Sequence, residues 1–160
     1  MRLPSKAIDL IETWRLGFVA TVSADGRPNV SPKGTFIVLD EETIAFGEMR
    51  SPNTMANLAH QSEVEVSFVD VLSRKGVRIR GEARIIEPTA EYDALTPKFQ
   101  SIWGDELLTM FNVIIVIPCA EVKPLQSPIF EKGYEESSGV CRMISSRGQR
   151  RRFSNTPNKN

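Results

Sequence analysis

The chain has 160 residues, 20 Lys/Arg against 20 Asp/Glu, and 41% hydrophobic with 25% charged residues; this excludes global disorder and allows one domain that buries about 70% of its unfolded surface. No apolar run approaches the ~20 residues of a membrane helix, the longest being Val113 to Ile117, and MRLPSKAIDL lacks a signal-peptide apolar region, so a cytoplasmic protein without membrane attachment is expected. The neutral total hides an asymmetry: Arg142 to Asn160 carries six Lys/Arg and no acid, which leaves 14 basic and 20 acidic residues before it. With Phe153 its only aromatic residue, this tail reads as a solvated or partner-contacting terminus rather than a nucleic-acid arm.

In chain order, Ser5 can cap a helix whose apolar stripe is Ala7, Ile8, Ile11 and Trp14, with Gly17 as its end. GFVATVSADGRPNVSP then predicts a hairpin around Asp25-Gly26, since both residues tolerate positive φ. Its second strand runs from about Asn29 to Leu39. Period two places Ser31, Lys33, Thr35 and Ile37 on one face and Val30, Gly34, Phe36 and Val38 on the other, the latter read as core. Pro32 marks an edge or bulge, and Gly34 a close approach of another backbone or a flat ligand. A third strand, Thr43 to Gly47, leads to a helix from Ser51 to about Gln61. VEVSFVDV and VRIRGEARII form a fourth and a fifth strand around the turn Ser73 to Gly76, with Arg78, Arg80, Glu82 and Arg84 on the outward face of the fifth. TAEYDALTPKFQSIW is a helix broken at Pro97, with Tyr92, Leu95, Phe99 and Trp103 inward. FNVIIVIPCAEVKPLQ is a sixth strand, apolar on both faces at first and bent at Pro118. Six antiparallel strands with flanking helices predict a mainly β fold, a small barrel over residues 1–128 with a sandwich as the alternative, followed by a C-terminal arm over residues 129–160.

The chemistry concentrates between Asn29 and Leu58. Lys33 and Arg50 bracket the hydroxyls of Ser51 and Thr54, and Pro52 suits the first helical position, so backbone N–H groups should face an incoming anion. Helix dipole and charged hydrogen bonds together would hold a phosphate monoester by roughly 4–8 kcal/mol, or millimolar to micromolar binding. The plainer reading, a capped surface helix beside solvated cations, accounts for Ser51 and Pro52 but not for a lysine inside a strand. Cys119 and Cys141 belong to no CxxC or Cys/His cluster, so no metal or dithiol site is expected. His60, the only histidine, falls at a helix end, which leaves a Ser-His-Asp hydrolase without support.

GFVATVSADGRPNVSPKG, RSPNTMANL and SFVDVLSRKGVRIRGEARII, in that order, resemble the flavin-binding split-barrel family, whose best-known member is pyridoxamine 5′-phosphate oxidase. The resemblance spans about Ile8 to Leu125. It implies a six-stranded split barrel that forms a homodimer with FMN in a groove at the interface. It further implies that Ser31, Pro32, Lys33, Gly34 and Thr35 line the flavin, and that Arg50, Ser51, Asn53, Thr54 and Asn57 gather the phosphate and ribityl chain. Trp103 would reach the ring from the partner subunit. The implied activity is an oxidoreductase passing hydride or electrons between reduced flavin and a small planar substrate. The long arginine-rich C-terminal segment of authentic pyridoxamine phosphate oxidases is missing, so vitamin B6 synthesis is not implied. The residues leave open a flavin carrier or sensor without turnover, a split barrel holding a deazaflavin or haem, and an interaction barrel with no cofactor.

Overall fold

Apolar alternation organises the chain into hairpins that share one curled antiparallel sheet. In a computed structural model, the structure describes residues 1–126 and 128. The elements are α1 (Ser5–Trp14), β1 (Gly17–Val22), β2 (Pro28–Lys33), β3 (Phe36–Asp40), β4 (Thr43–Glu48), α2 (Pro52–His60), β5 (Glu63–Asp70), β6 (Lys75–Glu82), β7 (Arg84–Ile86), α3 (Ala90–Leu108) and β8 (Val113–Gln126). The arm expected over residues 129–160 and the reading of Cys141 lie outside the described residues. Among those described, no helix is long and apolar enough to cross a membrane.

The strand order is β2-β1-β5-β6-β8-β4-β3, with β7 also on β8. The two ends of this path, β2 and β3, are consecutive in the chain, so the sheet curls into the expected split barrel. Eight strands replace the expected six because two long runs are interrupted. The run from Asn29 to Leu39 changes partner between Lys33 and Phe36: β2 pairs with β1, and β3 with β4. The run from Val77 to Ile86 breaks at Ala83, whose N–H goes to Ser62 O at 2.7 Å. Both of its pieces remain on β8, which pairs through residues 119–126 with β6 and through 113–118 with β4. The change of partner falls at Pro118, where a bend was expected.

Two apolar clusters follow from this path. The barrel interior holds Val19, Phe36, Phe46, Val66, Phe68, Ile79 and Ile117, closed by Ala7 and Ile11 of α1 and Leu58 of α2. Phe36 sits 4.7 Å edge-on to Phe68 and 5.0 Å from Phe46. Ile37, Ala45, Ile114 and Val116 point outward, under Phe99 of α3 and Phe111. β4 and the first half of β8 are therefore covered on both faces, which is why they read as continuous apolar runs.

The helix ends differ from expectation. Pro4, without a side-chain bond, takes the cap position of α1, and Trp14 is 39% exposed rather than buried. The helix stops at Arg15, at φ 50°, not at Gly17. The Arg15 side chain compensates by donating to Phe36 O at 3.3 Å and lying over the Trp103 ring. Gly17 is needed for packing instead, since a Cβ there would fall 2.6 Å from the Phe36 ring. α3 runs through Pro97 and breaks at Gly104, at φ 74°. Thr96 Oγ1 donates to Tyr92 O at 2.9 Å, beside the proline that lacks an N–H.

Cys119 is buried against this interior, and burial pushes its thiol up to about 11. In a Cys141→Ser chain at pH 8, a thiol reagent should label Cys119 at least ~100-fold more slowly than in urea, because little thiolate forms and little of it is reachable. Labelling of the folded protein at the unfolded rate would contradict this placement.

Candidate functional site

β2 carries its polar residues inward, the reverse of the expected polarity. Ser31 faces Val19 and Asn29 faces Thr21 across the β1–β2 ladder, and Val19 lies in the interior cluster, whereas Val30 is 61% exposed. The change of partner at Gly34-Thr35 also changes parity, so Lys33 and Phe36 both point in, although alternation assigned them opposite faces.

Lys33 is accordingly not a free cation. It is 9% exposed, and its Nζ stands 2.8 Å from Glu48 Oε2, the Glu48 side chain being 3% exposed. Phe46 lies below the ammonium at 5.8 Å. The contact is electrostatic, with neither Glu48 oxygen aligned for a hydrogen bond and Oε1 without any partner. Thr35 is also committed, its hydroxyl donating to Gly47 O at 2.8 Å. Pro32 and Gly34 are exposed, and a Cβ on Gly34 would meet nothing within 4 Å. The approach expected at Gly34 is therefore not made by the described residues of this chain.

Glu48 ends β4, and four residues later α2 begins at Pro52. Asn112 clamps this junction: its N–H goes to Glu48 O at 2.8 Å and its Nδ2 donates to Met49 O. Ser51 holds the N-cap position with φ −140°, ψ 76° and no side-chain cap bond, and Pro52 begins the helix, as expected. The Ser51 Oγ is buried and has no partner. Arg50 and Asn53 are exposed. A cavity of about 350 Å³ opens here, lined by Glu48, Arg50, Ser51, Met55 and Asn112. Glu48 touches Lys33 and is among the residues lining this cavity, whereas Lys33 is not, so of the two expected cations only Arg50 lines it.

Polar side chains on the inner face of α2 bond to the sheet. Asn57 Nδ2 donates to Thr21 Oγ1 at 2.9 Å, and Asn29 Nδ2 reaches Thr21 Oγ1 at 3.1 Å and Thr54 Oγ1 at 3.4 Å. Thr54 is 1% and Asn57 6% exposed, so their polar atoms fasten α2 to β1 and β2. Trp103 packs against the outer cluster, Arg15 Cζ lying 5.8 Å over its ring, and its buried Nε1 has no partner. Sequence reasoning missed Glu48, Asn112, Asn29 and Thr21. Alternation alone could have found Glu48, which shares the parity of Ile44 and Phe46 in TIAFGE and so must face the interior.

A second surface completes the picture. Outside the barrel, β1 and β2 expose Phe18, Val22 and Val30 at 44%, 38% and 61%. Beside them β5 and β6 carry Glu65 with Arg78 at 2.7 Å and Arg80 at 3.1 Å, the outward charges expected on β6. A cleft of about 460 Å³ on this face is lined by Val22, Pro28, Glu65 and Arg80. Among the described residues, no cluster of His, Cys, Asp or Glu could hold a metal ion.

A curled antiparallel sheet whose ends join through β2 and β3, with an uncapped helix start beside the barrel mouth, is the split barrel of flavin-binding proteins. The family model of pyridoxamine 5′-phosphate oxidase matches residues 3–124, and the chain belongs to this family. Its structure is similar to that of HupZ from Group A Streptococcus, with 30% identity, 78% of this chain and 95% of that chain covered, and a TM-score of 0.67. An FMN-binding protein from Syntrophomonas wolfei subsp. wolfei shares the fold at 16% identity, with 77% and 86% covered and a TM-score of 0.63. A protein named F420 reductase does so at 22% identity, with 76% and 98% covered and a TM-score of 0.59. No curated protein matches the chain.

Proposed function

We propose that the protein binds FMN with its phosphate at the start of α2 and works as an oxidoreductase on a small planar substrate, as a homodimer with the cofactor beside the interface. The observation that carries this reading is the uncapped α2 N-terminus, with the unpartnered Ser51 Oγ and the exposed Arg50 around one cavity. These residues fit a phosphate. Because Lys33 is neutralised by Glu48, the anion falls to Arg50, Ser51 and the helix end. A charged hydrogen bond contributes about 1.5–3 kcal/mol and the dipole about 0.3–1. Phosphate alone would then bind weakly, and the apolar flavin body must supply the rest.

Bound FMN would supply the hydride or electron chemistry. The chain's own part is to bind and orient, through Arg50, Ser51 and Asn53 at the phosphate and the exposed Pro32-Gly34 edge beside it. Homodimerisation is supported by the uncovered Phe18, Val22 and Val30, which lie next to one another on the sheet exterior, where a contiguous apolar patch marks an interaction surface. A deazaflavin also carries phosphate, and the fold shared with the F420 reductase supports it as a second reading. The visible spectrum of the purified protein, and of the pigment released on denaturation, separates the two.

Arg50→Ala should weaken FMN binding about 10- to 100-fold in a fluorescence-quenching titration and leave the melting temperature nearly unchanged, because Arg50 is exposed. Unaltered affinity would overturn the phosphate placement.

A further inference from the structure

We propose that Glu48 is a ligand-binding carboxylate, whose free Oε1 accepts a hydrogen bond from a hydroxyl of the chain that joins the phosphate to the flavin. The site would thus select a phosphorylated polyol rather than a phosphate alone. This inference deepens the FMN reading and rests on it.

A carboxylate that is 2% exposed, with neither oxygen hydrogen-bonded, is rare in a folded protein. Lys33 answers its charge at 2.8 Å but leaves Oε1 without a donor. Glu48 lines the same cavity as Arg50 and Ser51, and Asn112 fixes the backbone on which it stands. The residues that line the cavity therefore include one exposed cation, one buried unpartnered hydroxyl and one buried carboxylate with an unpartnered oxygen. A bare phosphate answers only the first two and would sit near a carboxylate that repels it. A ligand with an anionic end followed by O–H donors answers all three, and the ribityl phosphate of FMN has that order of groups. Lys33 then acts as a positioning residue, since its contact at 2.8 Å holds Glu48 Oε2 to one side while the ligand takes the other oxygen.

The test compares two variants that both lack the ammonium, so that only the acceptor differs: Lys33→Met with Glu48→Leu, and Lys33→Met with Glu48→Gln. Native protein and both variants are titrated with FMN, riboflavin and lumiflavin, the last of which has no polyol chain. Native protein should bind riboflavin about tenfold more tightly than lumiflavin. The glutamine variant, which keeps a carbonyl acceptor, should retain most of that preference, and the leucine variant should lose it to within about twofold. The FMN-to-riboflavin ratio, set at Arg50 and Ser51, should hold in both. A leucine variant with a native melting transition and a native riboflavin preference overturns the role of Glu48 while leaving FMN binding intact. Failure of the native protein to bind any of the three flavins overturns the FMN reading, and this inference with it.

Discussion

Glu48→Leu alone will lower the unfolding free energy by about 3–5 kcal/mol in urea denaturation, one of the largest losses any single side chain in this protein can cause. The reason lies in what remains. The Lys33 ammonium is 9% exposed, and after the substitution its surroundings would be the interior and the Phe46 ring at 5.8 Å. A cation–π contact returns about 0.5–2 kcal/mol, which is too little to offset desolvation of an unpaired charge. The double replacement, Lys33→Met with Glu48→Leu, removes both charges at similar volume and should lie within about 1 kcal/mol of the native protein, because the desolvation of two ions disappears together with their attraction. A single variant as stable as the native protein would mean that Lys33 escapes to water, and the buried pair would not exist in solution.

That pair also shows where the sequence was legible and where it was not. Local signals held. Asp25-Gly26 makes its hairpin, with Gly26 at φ 81° and Gly26 N–H on Ser23 O at 2.8 Å, and Pro52 opens α2. The family resemblance stated from GFVATVSADGRPNVSPKG and RSPNTMANL is met by the match over residues 3–124. What failed was anything that depends on a strand keeping its parity. Alternation carried through Asn29 to Leu39 as if it were one strand, so the polar face of β2 was turned outward and Lys33 offered to solvent. The chain instead shifts by one residue as it passes from β1 to β4 as its partner, and this register belongs to the tertiary pairing, not to the segment. Thr54 and Asn57 have partners that the segment alone does not reveal. A polar residue at a helix start can meet a ligand or the sheet beside it, and the bonds to Thr21 and Asn29 come from a neighbouring hairpin. The helix break was misplaced because Pro97 is a louder signal than Gly104. The helix nevertheless runs through Pro97, and a glycine at positive φ interrupts it.

Gly81→Ala should cost about 3 kcal/mol or more, and Gly34→Ala almost nothing, although both glycines sit in strands or at their ends. At Gly81 a Cβ would stand 2.1 Å from Pro118 O and 2.8 Å from Ile117 Cγ2. The first obstacle is backbone, so no rotamer change relieves it, and the site lies where the β6–β8 register shifts between Arg80 and Gly81. Overpacking a core costs about 1–3 kcal/mol when side chains can yield. Here β6 and β8 must part at the point where β8 passes from one half of the barrel to the other, and the loss should exceed that range. Gly34 has open space around it and no positive φ, so alanine there should leave urea stability within about 0.5 kcal/mol or raise it slightly. The comparison carries a functional reading as well. If a flavin lies against the Pro32-Gly34 edge, Gly34→Ala will weaken FMN binding without touching stability, a separation that a purely structural glycine cannot produce. Equal melting curves for the Gly81 variant and the native protein would refute the close strand approach. Equal FMN affinity for the Gly34 variant would move the ring away from that edge and leave only the phosphate anchored, at the start of α2.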